Sequence, residues 1–252
     1  MSDSVLPELT SLQKLVDAVG EDLMTAMQAL ALKRLLSASS TCCKDVLDNN
    51  AFVAAINSAS HQALFISLWR VFDGDSKNGG IVGLCRHAKA EPKEFSWLFS
   101  SSGQLRHPNG RKVVNDLADK WLDWRLTLPF TKQLERFRHN YIAHRGKKAA
   151  LGQGPEIKMH WSDIFEALNG IDKMVNEFRV LIDSTTVYHV NIYETVIDEG
   201  SFTLAQTQAH LEGRIGNSID GNRANELKNS IKSAHDDQSK KNSWWLNPMP
   251  DA

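Results

Sequence analysis

Residues 132–148 read Lys-Gln-Leu-Glu-Arg-Phe-Arg-His-Asn-Tyr-Ile-Ala-His-Arg-Gly-Lys-Lys. Lys132, Arg136, Arg138, Arg145, Lys147 and Lys148 stand there against one acid, Glu135, with His139 and His144 among them. The whole chain of 252 residues carries a formal net charge of only −1. Positive charge is therefore local, and a phosphate-bearing ligand would be drawn to this segment first. A histidine, whose ordinary pKa lies near neutrality, can take the proton of an RNA 2′-hydroxyl or protonate the leaving oxygen. An arginine can hold two phosphate oxygens and stabilise the charge that builds on pentacoordinate phosphorus. Neither role needs a metal, and DNA, which lacks the 2′-hydroxyl, would be spared.

Arg138 and His144 are the candidate pair. Six residues apart, they lie roughly 120° from each other around a helix, so they do not share a stripe. Long side chains could converge on one groove, or a second subunit could complete the geometry. Asn140 and Tyr141 fall on the His144 side, and Arg136 is nearer to His144 in angle than Arg138 is. Arg136, Arg145, Lys147 and Lys148 are candidate phosphate-binding residues. The plainer role for such residues near a helix C-terminus is to complement the helix dipole.

The elements that must position this segment are helical by period. Leu9, Leu12, Leu15, Val16, Val19, Leu23, Met27 and Leu30 form one stripe, which predicts a helix from about Pro7 to Ser37. A short helix to Leu47 follows. Asp48-Asn49-Asn50 reads as a cap before a second long helix, Ala51 to Phe72, with Phe52, Ile56, Leu64, Leu68 and Phe72 as its core stripe. Residues 73–80 are a loop by composition. Helices are expected at Ile81–Ala90, from Pro92 to near Phe99, across Val113–Leu128, at Thr131–Arg145 with Gly146 as its C-terminal cap, and from Ser162 to Ile182. Thr185–Ile197 is read as helix continuation or loop. From about Ser218 the chain is polar and reads as a mobile tail ending in Trp244-Trp245. The expected class is an all-α bundle of four to five main helices, a helical domain over 1–200 and a polar, partly disordered C-terminal extension over 201–252.

With those elements placed, Arg138-His-Asn-Tyr-Ile-Ala-His144 resembles the signature of the HEPN superfamily, an arginine, four to six residues, then histidine. The Ala143-His144 ending resembles its abortive-infection AbiU-type branch. So does Leu68-Trp-Arg-Val-Phe-Asp73, a Gly/Ser loop, then Ile81-Val-Gly-Leu-Cys-Arg86. The resemblance covers about residues 10–185. It implies a HEPN-like bundle, commonly a homodimer whose Arg and His line a cleft between subunits. Many members are metal-independent endoribonucleases acting as toxins or phage-defence effectors, some under an antitoxin or regulatory protein; others bind nucleotides, RNA or proteins without cutting. Carried over by position, Arg138 binds phosphate and His144 is the catalytic histidine, with His139, Asn140 and Tyr141 in support. The residue after the arginine is commonly Asn or Asp in the family; here His139 or Asn140 takes that part, and His139 could be a second acid/base.

Several classes are set aside on the same residues. Cys42, Cys43 and Cys85 are an odd count, and neighbours on a helix point about 100° apart, so they read as small apolar residues in a reducing cytoplasm. No His or Cys pair has metal-ligand spacing, and no cofactor or metal is expected. Asp73 and Asp75 lack the third acid and distal Glu of a calcium loop, which leaves a solvated loop with Asp73 as a structural cap. Trp97, Trp121, Trp124 and Trp161 are expected in the core. The N-terminus lacks a secretory pattern and no run approaches the ~20 apolar residues of a spanning helix, so RNA in the cytoplasm, not a membrane, is the expected partner.

Overall fold

The computed structural model describes residues 9–40, 42–48, 51–75, 77–96, 98–99, 106–128, 131–137, 161–183, 190–213 and 221–240. In chain order the helices are α1 Ser11–Ser39, α2 Lys44–Asp48, α3 Ala51–Phe72, α4 Ile81–Ala90, a 3-10 turn at Pro92–Glu94, α5 Gly110–Thr127, α6 Thr131–Phe137, α7 Trp161–Asp183, α8 Val190–Gly213 and α9 Gly221–Lys240. No strand occurs among the described residues, and the class is all-α.

Contacts divide the chain into two compact units. The described residues of the first lie within Met1–Leu23, Ser67–Lys158 and Ala167–Tyr188; those of the second lie within Met24–Ile66, Met159–Glu166 and His189–Ala252.

In the first unit, α1 begins later than the apolar stripe alone predicts. The reason is a reciprocal cap: the Gln13 amide donates to Thr10 Oγ1 at 3.2 Å and the Thr10 amide to Gln13 Oε1 at 2.8 Å. A third orphan amide, Leu12, donates to Glu94 Oε2 at 2.7 Å, and the other oxygen of Glu94 lies 3.2 Å from His87 Nε2. The segment after Pro92 is a single tight turn rather than the helix to Phe99 expected, because Phe95 takes an extended ψ of 91°. Its Phe95, Leu98 and Phe99 are nonetheless buried, and Phe95 packs on Phe178 with centroids 6.1 Å apart. Leu12, Val16, Leu68, Leu84, Val114, Ile171 and Val175 complete this core. Arg179 closes on Asp17 at 2.8 Å.

In the second unit, α2 and α9 both pack on α8. The buried Val46 amide donates to Gln208 Oε1 at 3.3 Å. Within the extension expected to be polar and mobile, residues 221–240 form α9, where Ala224, Leu227, Ile231 and His235 are buried at three- and four-residue steps. That sparse stripe is masked in the sequence by the polar residues around it. Trp244 and Trp245 lie outside the described residues. Tyr193 and His235 meet at 3.0 Å from hydroxyl to Nε2. Tyr193 also stands edge-on to Phe165, and the buried Arg34 guanidinium lies 5.3 Å over the same Phe165 ring.

Two expected core aromatics are elsewhere. Phe52 is 70% exposed and Trp161 39% exposed. The first half of α3 offers mostly small or polar residues, so the stripe buries only from Ser60 onward. Among the described residues α3 is the one helix long and apolar enough by length and composition to cross a membrane, although no such run was expected. Asn57, His61 and Gln62 interrupt it, and 28% of its most apolar window is buried.

Burial, and then the positive charge of Arg34, hold the His235 imidazole below its ordinary value of 6.5, with Asp236 opposing. The neutral ring thus favours the folded state. This contribution is full above pH 6.5 and is lost as pH falls through the lowered folded value. The thermal midpoint should therefore drop between about pH 7.5 and about pH 5, and His235→Gln should flatten the drop. Circular dichroism melts with parallel slopes for both proteins would contradict this.

Candidate functional site

The 68–86 stretch is described except for Ser76. It is built around the end of α3, where the last carbonyls have no partner within the helix. The Phe72 oxygen accepts from Arg125 Nε at 3.0 Å and Nη2 at 2.6 Å. A guanidinium at a helix C-terminus satisfies the orphan acceptor and the helix dipole together. Trp124, beside it on α5, packs on Phe72 with centroids 5.8 Å apart and edge-on to Trp121 at 5.2 Å. The Trp124 ring occupies the space over Gly170 of α7, where an added Cβ would lie 1.9 Å from Cζ2.

After Phe72 the chain turns sharply. Asp73 Oδ1 accepts from the Asp75 amide at 3.1 Å and Oδ2 from Asn78 Nδ2 at 2.5 Å. Asp73 is thus the loop cap expected of it. Gly80 then starts α4 with an ordinary φ of −80°. Its glycine is required by proximity instead: a Cβ would stand 2.5 Å and 2.6 Å from the carbonyl oxygens of Arg70 and Val71. Behind this turn α4 packs on α5 and buries Ile81, Leu84, Cys85 and Ala88. A cavity of about 460 Å³ opens at the turn, lined by Asp22, Trp69, Arg70, Asp73, Lys77 and Asn78 among others. Asp22 and Arg70 pair across it at 3.4 Å. Burial pushes the Asp22 carboxyl up, and Arg70 draws it back.

The basic stretch follows on the same path. From Arg125 the chain ends α5 at Thr127, buries Leu128 and enters α6. Leu134 is α6's buried anchor, with Lys132 and Glu135 exposed. Arg136 falls in the last turn of α6, which ends at Phe137. Arg138, His139, Asn140, Tyr141, His144, Arg145, Lys147 and Lys148, and the expected cap Gly146, lie outside the described residues, as does the side chain of Arg136. What is described is the approach to Arg138. The Phe-Asp stretch is joined to α5 by Arg125 and Trp124.

The AbiU2 family of HEPN domains matches residues 10–199. The chain belongs to this family. The match runs past residue 185, where the resemblance read from the sequence stopped, into α8. No curated protein and no solved structure matches the chain. As an AbiU2 domain it carries the abortive-infection type of HEPN fold. Among the described residues no group of three or more His, Cys, Asp or Glu side chains could hold a metal ion.

Trp124 was expected in the core without a stated partner, and Arg125 and Gly170 were not singled out in the sequence. An arginine near the end of an amphipathic helix has no local signature of its target, since the Phe72 carbonyl is chosen by tertiary packing. Gly170, inside a helix where alanine would be favoured, is the one signal that could have been noticed.

Replacing Arg125 with Gln should cost about 1.5–3 kcal/mol, the usual worth of hydrogen bonds to a charged group. Gly80→Ala should cost about 1–3 kcal/mol by overpacking against backbone. Urea unfolding midpoints check both, and an unchanged midpoint for either would remove that contact from the account.

Proposed function

We propose that this AbiU2 domain is a metal-independent endoribonuclease that cuts RNA with Arg138 and His144. The observation that carries the reading is an arginine and a histidine five intervening residues apart, set in the most basic stretch of a chain that belongs to a HEPN family. In this reading Arg138 binds the scissile phosphate and offsets its developing charge. His144 moves the proton between the 2′-hydroxyl, the leaving oxygen and solvent. The 2′-oxygen bonds to phosphorus as the 5′-oxygen leaves, which yields a 2′,3′-cyclic phosphate. Arg136, Arg145, Lys147 and Lys148 hold neighbouring phosphates. His139, Asn140 and Tyr141 orient the pair.

A homodimer suits the roughly 120° offset between the two groups, since a twofold axis can bring Arg138 and His144 of two copies to one cleft. An antitoxin or regulatory protein that covers this cleft would hold such an enzyme silent. The cavity at the turn, with Arg70 and Lys77 in its lining, supports a second reading, a module that binds a nucleotide or RNA without cutting it. The readings differ in their dependence on residues. An enzyme fails sharply at two positions, whereas a binder weakens in graded steps as Arg138, Arg145 and Lys147 are neutralised, and does so with strong salt dependence.

With a mixed RNA pool in EDTA, His144→Ala and Arg138→Ala should each slow cleavage by about 10²-fold or more while leaving the thermal midpoint in place. Variants that cut like the parent would overturn the assignment. Salt-sensitive RNA binding with no cleavage by the parent protein would favour the second reading.

A further inference from the structure

Cys42 and Cys43 were expected to behave as small apolar residues because helical neighbours diverge. The structure places them off any helix, in the turn between the end of α1 at Ser39 and the start of α2 at Lys44. There both side chains point the same way, with their Sγ atoms 3.9 Å apart. Cys42 is half-buried and Cys43 is buried. The turn is held by main-chain bonds at Cys43. Its amide donates to the Ser39 carbonyl at 2.9 Å, and its carbonyl accepts from the amides of Val46 and Leu47, each at 3.2 Å.

We propose that Cys42 and Cys43 form a redox-modified dithiol, which a low-molecular-weight disulfide converts reversibly to a vicinal disulfide. The inference is independent of the ribonuclease reading. Cys42, the more accessible sulfur, loses its proton to solvent and attacks one sulfur of the small disulfide. A mixed disulfide forms and one small thiolate leaves. Cys43 then loses its proton and attacks Cys42 Sγ, which closes the protein disulfide and releases the second small thiolate. Two protein thiols are oxidised, and one small disulfide is reduced to two thiols.

The bridge would be strained. Neighbouring Cα atoms stand about 3.8 Å apart, below the roughly 4.4–6.8 Å that disulfides prefer. Strain raises the reduction potential, so the bond is of the labile kind that thiols reverse. Closing the sulfurs from 3.9 Å to about 2 Å turns the peptide between the two residues. That turns the Cys43 amide away from the Ser39 carbonyl it meets at 2.9 Å, so the turn leading into α2 loses its anchor on α1. Val46, whose amide donates to the Cys43 carbonyl beyond that turn, also ties α2 to Gln208 of α8. Oxidation thereby loosens the docking of α2. Cys85 takes no part: it is buried in the first unit, and burial pushes its thiol up to about 12, so it holds almost no thiolate at neutral pH.

The test uses the full chain, reduced or treated with oxidised glutathione, then denatured and alkylated. Of the three cysteines, all take the alkyl group in the reduced protein. One should do so after oxidation, with the mass change of an internal disulfide and full reversal by dithiothreitol. Cys43→Ser should stop at a glutathione adduct on Cys42. Amide hydrogen exchange at Val46 and Leu47 should be faster in the oxidised parent. Three free thiols after oxidation, a stable glutathione adduct on the parent, or a bridge that includes Cys85 would overturn the dithiol. Unchanged exchange at Val46 and Leu47 in the bridged protein would overturn its coupling to α2.

Discussion

The carbonyl oxygen of Phe72 is the point on which the first unit turns. A helix that ends against protein must find partners for its last acceptors, and here the Arg125 guanidinium supplies two donors to one oxygen. The same junction admits no side chain at Gly80, because α4 starts against the carbonyls that α3 leaves behind. Trp124 then fills the gap between Phe72 and Gly170, so that α3, α5 and α7 meet around one indole. The junction also holds α5, the helix that precedes α6 in the chain.

Charge is distributed consistently with that arrangement. Several cations of the first unit sit against carboxylates: Arg179 on Asp17, Lys120 on Glu177, Arg70 on Asp22 and Lys89 on Asp119. Such exposed pairs contribute little to stability, but they neutralise the surface locally. The stretch 132–148 has one acid, Glu135, among its basic residues. A protein with a net charge of −1 can therefore still present one place attractive to a polyanion.

The sequence was most legible where a helix buries a continuous stripe. The bounds of α3 and α4, and those of α7 to within a residue, follow from period, caps and loop composition. Legibility failed where burial is decided by partners distant in sequence. Phe52 has the right type and spacing for a core position yet lies in the exposed half of α3. Arg34 has the wrong type and is buried, because Phe165 offers it a ring and Tyr193 and His235 lie close by. In α9 a stripe of Ala224, Leu227 and Ile231 is too thin to stand out from its polar setting. The junction at Phe72 depends on a side chain from α5, which no local pattern announces. Cys42 and Cys43 depart from expectation for a simpler reason: the divergence of neighbours holds on a helix, and they lie in a turn.

The catalytic claim rests on a 2′-hydroxyl attacking its own phosphodiester with help from an arginine and a histidine. The most direct measurement is cleavage, in EDTA, of an RNA cut at one mapped site beside the same RNA with a single 2′-deoxy nucleotide at that site. The account predicts that the parent RNA yields a 2′,3′-cyclic phosphate end and that the substituted RNA stays intact there. Cutting of the substituted bond, or a product end with no cyclic phosphate, would contradict it.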